Sequence, residues 1–364
     1  MNSALLNSKE KIILSLREIY KKFGYDRYTI NKFEEYDLYV NNKDFLLSNR
    51  VITFTDTDGK LLALKPDVTL SIIKNCKNLE ETKKYFYDES VYRISSNSDT
   101  FKEIVQVGLE CLGGGDDYQV YEVVSLALES LNALSKKFVL SISNLDIILA
   151  VIDSVNLSAQ GKSQVLKALS LKSIPEIKEV CEKESMDKNQ TSLLSDLVRI
   201  YGDIKKVKDK LSKFIVNEES KVAVEKFVSI LTLLEKGKFG KNISVDFSVV
   251  EAINYYNGIV FNGVIEKVSQ KILSGGQYDK LMSKMNKNKS AIGFAVYVDL
   301  LERINLESAE EKVTVIVYDD KTDIKKLIDK SAKLTEKGVN VKVQKVMPTK
   351  KVKVIDLRGD KTIG

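Results

Sequence analysis

The chain has 364 residues, 43% hydrophobic and 30% charged, with a formal net charge of +6. That composition suits a soluble globular protein of two or three domains and excludes a disordered or fibrous chain, and no apolar run is long enough to span a bilayer. It contains no histidine, which excludes Ser-His and Cys-His catalysis, a histidine general base and histidine metal ligands.

The start, MNSALLNSKEKIILSL, breaks its apolar positions with charge at helical spacing. It reads as an amphipathic helix over 7–23, with Ile12, Ile13, Leu16, Ile19 and Tyr20 on one side, rather than as a signal peptide. A cytoplasmic protein is expected. VITFTDTDGKLLALKPDVTL predicts two strands around a DTDG turn, then a helix over 68–75 beyond Pro66. YFYDESVYRI and FKEIVQVGLECLG read as two strands joined by the polar loop SSNSDT. A long helix over 117–136 and a strand, VLSISN, follow. Residues 157–240 show helical patterning only. Strands resume at NISVDFSVV, so the stretch reads as a helical insertion in a sheet domain. YYNGIVFNGVI and KILSGGQYD read as strands, and IGFAVYVDLLERI as a strand entering a helix. After Glu310 a short β-α-β-β unit is expected, over 311–364. The order of strands and helices predicts an α+β fold.

Cys76, Cys111 and Cys181 are far apart and odd in number, with no zinc spacing, so each is expected to pack as a small apolar residue. The last fifth is the most basic stretch, and solvated helix faces account for it without nucleic acid. No cofactor, metal or membrane partner is expected.

The polar residues inside strands carry the functional signal. Asp67 and Thr69 follow Pro66, and Arg93 ends a strand. Gln106 and Glu110 share a strand face, because even spacing puts side chains on one side. Tyr255 and Tyr256 precede Gly258, and Gly275 and Gly276 precede Tyr278 and Asp279. Converging in one sheet, these acceptors and tyrosine walls suit a small polar or cationic ligand such as an amino acid.

LKPDVTLSIIKN, VYRI, FKEIVQVGLECLG, NYYNGIVF, SGGQYDKL and IGFAVYVDLL, in this order, resemble the class II catalytic core of histidyl-tRNA synthetases. The resemblance covers residues 1 to about 305 and implies an antiparallel sheet core with a helical insertion. The tail resembles a truncated form of that family's anticodon-binding domain. The departures bear on chemistry. Arg93 matches an arginine of the family, but SSNSDT replaces the charged loop that would hold ATP. Leu300 and Glu251 stand where the resemblance calls for arginines. Losing such charges removes stabilisation of the developing α-phosphate charge, so no catalytic residues are assigned.

FEEYDLY, KPDVT and YYNGIVF resemble more closely the branch of regulatory subunits that partner a short ATP phosphoribosyltransferase catalytic subunit in the first step of histidine biosynthesis. That resemblance implies a non-catalytic, allosteric subunit with L-histidine as effector. It also implies a homodimer within a hetero-octamer, pairing through Phe33, Tyr36, Leu38 and Tyr39. Its effector site would comprise Asp67, Thr69, Arg93, Gln106, Glu110, Tyr255, Tyr256, Gly275 and Gly276. Asp67 and Thr69 would take the α-amino group, and Glu110 and Tyr256 the imidazole. The alternatives are a divergent synthetase-like enzyme and a tRNA-binding sensor.

Overall fold

The computed structural model describes residues 6–46, 50–77, 79–94, 100–250, 253–303, 313–349 and 352–359. The chain divides into two compact units, Met1–Ile304 and Asn305–Gly364.

The first unit opens with α1 (Ser8–Lys22). Asn7 and Glu10 close a reciprocal capping box on its first turn, and Leu16 and Tyr20 are its buried residues. Next come β1 (Asp26–Arg27), β2 (Phe33–Glu35), α2 (Tyr36–Val40), β3 (Thr53–Thr55) and β4 (Leu61–Leu64). The turn between β3 and β4 is DTDG, with Gly59 at φ 86°, a conformation glycine adopts without strain. Strands β2, β4 and β3 form a small antiparallel sheet of their own. Then follow α3 (Thr69–Asn75), β5 (Lys83–Ile94), β6 (Phe101–Leu112), α4 (Asp117–Leu134), β7 (Phe138–Asn144) and α5 (Leu145–Asp153).

The next segment holds α6 (Ala159–Ser170), α7 (Ile174–Lys183), α8 (Lys188–Val198), β8 (Tyr201–Asp203), α9 (Ile204–Lys208) and α10 (Glu218–Lys236). It is therefore not purely helical: β8 pairs antiparallel with β9 (Ile243–Asp246) at the edge of the main sheet. Three residues are too short for a period-two pattern to register. The unit closes with β10 (Asn257–Ile265), β11 (Leu273–Gln277), α11 (Asp279–Lys284) and β12 (Ala291–Tyr297), then a 3-10 turn, Val298–Arg303, where a longer helix was expected.

The main sheet has nine strands in the order β1-β5-β6-β12-β11-β10-β7-β9-β8. It is antiparallel except for the β1–β5 and β7–β9 pairs. Helices α1 and α4 pack on one face. Tyr20 meets Phe294 edge-on at 5.9 Å, and its hydroxyl lies 2.9 Å from Ser130 Oγ on α4. The other face carries the polar residues of β5, β6 and β12. A separate apolar cluster joins α3 and α11 to the small sheet, through Ile72, Ile73, Ala63, Leu281 and Met282.

The second unit comprises β13 (Val313–Val317), α12 (Ile324–Glu336), β14 (Asn340–Gln344) and β15 (Lys353–Asp356). Its parallel sheet has the order β14-β13-β15 and buries Ile316 against Leu327 and Leu357. All three cysteines are buried, and none is in a disulfide. Among the described residues no helix is long and apolar enough to cross a membrane.

Candidate functional site

The pocket on the open sheet face is built from strand registers. Glu110 on β6 stands opposite Gly293 on β12, and Gly108 stands opposite Ala295 on one side and Tyr87 of β5 on the other. Gly276 on β11 faces Gly293. These glycines supply space rather than flexibility. A Cβ at 293 would run into the Glu110 carboxylate, one at 108 into the Tyr87 hydroxyl, and one at 276 into the Tyr256 ring. The functional side chains thus fill hollows that the glycines leave.

Seven of the nine residues expected at the site line this pocket of about 440 Å³, open mouth included: Asp67, Thr69, Arg93, Gln106, Glu110, Tyr255 and Tyr256. Gly275 and Gly276 do not line it. Gly276 backs the Tyr256 ring, and a side chain at 275 would meet Phe294 and Phe261 on the other face. The strand alternation that puts 276 on the pocket side puts 275 away from it.

Both carboxylates of the pocket already have partners. Glu110 is only 3% exposed. Its Oε1 accepts a hydrogen bond from Thr69 Oγ1 and its Oε2 from the Tyr278 hydroxyl, both at 2.6 Å. Burial pushes its carboxyl up to about 8 against these two hydroxyls, and the nearby Asp67 charge adds to the rise. Asp67 is not a free acceptor either. Its Oδ1 accepts from Leu70 N at 2.9 Å in the first turn of α3, and its Oδ2 lies 3.6 Å from Arg93 Nη2. Burial raises the Asp67 carboxyl; Arg93 and the backbone bonds oppose the rise. Arg93 Nε donates to the Pro66 carbonyl at 2.5 Å. Just upstream, fully buried Lys65 pairs with Glu89 at 2.5 Å, fixing the end of β4 against β5.

Sequence reasoning missed Tyr87, Ser274 and Tyr297 as pocket residues, and placed Tyr278 near the site without assigning it there. The SGGQYD run did hold the signal for Tyr278. Gln277 Oε1 accepts from Ile259 N at 2.8 Å beside the bulge at Gly258, whose φ is 55°. Asp279 accepts from Ala291 N at 2.9 Å and from Asn257 Nδ2 at 3.3 Å. Both neighbours therefore anchor the turn that aims Tyr278 at Glu110. Tyr255 stacks edge-on with Tyr256 at 4.7 Å, and burial holds both hydroxyls well above their ordinary range.

Leu300 is half-buried in the 3-10 turn and is not among the pocket residues. Its neighbour Asp299 pins that turn, accepting from Val105 N and pairing with Lys9 at 2.5 Å. Glu251 and most of the SSNSDT loop lie outside the described residues. No group of three or more candidate metal ligands exists among the described residues. The pocket offers hydroxyls, an amide, two carboxylates and one guanidinium. That is equipment for binding a small zwitterion.

Residues 4–301 match the histidyl-tRNA synthetase family. A curated ATP phosphoribosyltransferase regulatory subunit from Clostridium kluyveri is 28% identical over 336 residues, 89% of this chain and 86% of that protein. Another, from Caldanaerobacter subterraneus, is 29% identical over 297 residues, 80% and 77% of the two chains. In fold, the chain is similar to an ATP phosphoribosyltransferase regulatory subunit/histidyl-tRNA synthetase from Bacillus halodurans, with a TM-score of 0.78 at 23% identity, covering 96% of this chain and 94% of that one. It is also similar to a chain of the ATP phosphoribosyl transferase (HisG:HisZ) complex from Thermotoga maritima, with a TM-score of 0.63 at 17% identity over 79% and 96% of the two. The chain belongs to the histidyl-tRNA synthetase family, and the curated relatives it matches along most of its length bear the name of a regulatory subunit.

Proposed function

We propose that this chain is the non-catalytic regulatory subunit of ATP phosphoribosyltransferase, acting with a short catalytic subunit in the first step of histidine biosynthesis. L-histidine binds in the pocket of the main sheet and inhibits the complex. The chain pairs with a second copy and assembles with the catalytic subunit into a hetero-oligomer, a hetero-octamer by the family resemblance. One observation carries the effector site: a single open-mouthed pocket joins Asp67, Arg93, Gln106 and Glu110 with the tyrosine pair, so carboxylates for an ammonium group and a guanidinium stand around one space. The names of the relatives support the assignment to the complex.

The test pairs two assays. Mixed with a short catalytic subunit, the chain is expected to raise phosphoribosyl transfer and make it sensitive to L-histidine. Alone, it is expected to give no histidine-dependent ATP–pyrophosphate exchange. Exchange above background that is lost in Arg93→Ala would establish a synthetase-like enzyme instead. Transfer that is indifferent to the chain would remove the regulatory role.

A further inference from the structure

Two carboxylates open on the pocket, and among the described residues lining it Arg93 is the one cation. Arg93 is spent on the Asp67 side, through Pro66 O and Asp67 Oδ2. Glu110 is held by two hydroxyls and no cation. An enclosed carboxylate with no counter-charge, close to a second carboxylate, favours its acid form. The two hydroxyls suit either state, because each can donate to a carboxylate or accept from a carboxylic acid.

We propose that Glu110 carries a proton while the pocket is empty and releases it when the ligand's ammonium group, already charged in solution, comes to rest against it. The proposal rests on the reading that L-histidine binds in this pocket. The step is a simple exchange: the O–H bond of the acid breaks, the proton passes to solvent, and the ligand's positive charge replaces it. The filled pocket, with a net-neutral zwitterion in it, then carries one negative charge more than the empty pocket, balanced by the proton in solvent.

The remaining groups around Glu110 do not compete for this proton. Burial keeps the Tyr87 and Tyr278 hydroxyls well above their ordinary range, as it does those of Tyr255 and Tyr256. Tyr297, on β12, is engaged with Ser274 at 2.7 Å. Asp67 has Arg93 and the Leu70 N–H to hold its charge. The position of the Glu110 carboxyl, near 8, makes the acid form dominant in the empty pocket at pH 7.

The test is calorimetric titration of L-histidine into the full chain at pH 7, in buffers of different ionisation enthalpy. The wild type is expected to release close to one proton per site. Glu110→Gln, which keeps the shape and both hydroxyl contacts, is expected to bind more weakly and release none. Binding heat that does not vary with buffer, or that reports proton uptake, overturns the proposal and leaves the effector reading standing. No binding heat at all removes both. Should Glu110→Gln fail to fold, the wild type decides alone by infrared difference spectroscopy. The band of a buried carboxylic acid should vanish on adding L-histidine, and its persistence in the saturated protein overturns the proposal.

Discussion

At Glu110 one side chain serves both the fold and the pocket. Truncation to alanine would strand the Thr69 and Tyr278 hydroxyls, at about 1–3 kcal/mol for each group left unpaired. Loss of ligand binding in Glu110→Ala therefore mixes two effects, whereas Glu110→Gln separates them. The pH dependence follows from the same burial. A carboxyl near 8 in the folded chain, against an ordinary value of 4.5, means the folded state keeps a proton that the unfolded state has released between those values. That contribution to stability is full below about pH 4.5 and is lost as pH rises through 8. The unfolding temperature of the wild type is accordingly expected to fall between pH 5 and pH 8.5 more steeply than that of Glu110→Gln. Parallel curves in thermal melts would show that the residue does not hold a proton in the folded chain. The sequence made Glu110 and Gln106 visible because a strand repeats every two residues. Tyr87 and Tyr297 stayed hidden, because which residue of one strand lies opposite which of the next is set by the whole sheet.

At the level of elements, the pocket depends on how closely three strands approach. Gly108, Gly276 and Gly293 occupy pocket-facing positions in β6, β11 and β12, and each would drive a side chain into a neighbour. At 293 the obstruction includes the Leu109 carbonyl as well as the Glu110 carboxylate, so no rotamer change relieves it. Gly293→Ala is expected to cost at least 1–3 kcal/mol, the usual range for overpacking a tight interior, and to abolish histidine binding. Denaturant midpoints and calorimetry check both; a stable variant with normal affinity would mean that the strands separate freely. The turns were more legible than these approaches. DTDG and the capping residues announce themselves locally, and so does the long helix α4. The three-residue β8 and the shortened turn after β12 do not. One exists only by pairing with β9, and the other is set by Asp299 reaching Val105 and Lys9 across the fold.

For the whole molecule, we propose that copies meet through the exposed face of the small sheet. Phe33 on β2 and Phe54 on β3 lie on either side of β4, ring to ring at 5.4 Å and edge-on, and are 46% and 39% exposed. Of the other residues expected at the interface, Tyr39 is 1% exposed, and Tyr36 and Leu38 are partly buried against the cluster that includes α3 and α11. Their apolar spacing marked a core, and only Phe33 points outward. The two rings form an exposed aromatic pair on the side of the small sheet away from that cluster, an apolar spot that a second copy could cover. A two-fold contact would lay the same patch against itself, burying four rings. The small sheet also runs directly into the pocket, since β4 leads through Lys65, Pro66 and Asp67 into α3. The full chain is therefore expected to be a dimer by light scattering, and Phe33→Lys with Phe54→Lys to be a folded monomer with an unchanged circular dichroism spectrum. Because the segment that carries the interface also carries Asp67 and Thr69, the monomeric variant should bind L-histidine several-fold more weakly. A doubly substituted chain that remains dimeric would place the contact elsewhere, and a monomer with full histidine affinity would uncouple the pocket from assembly.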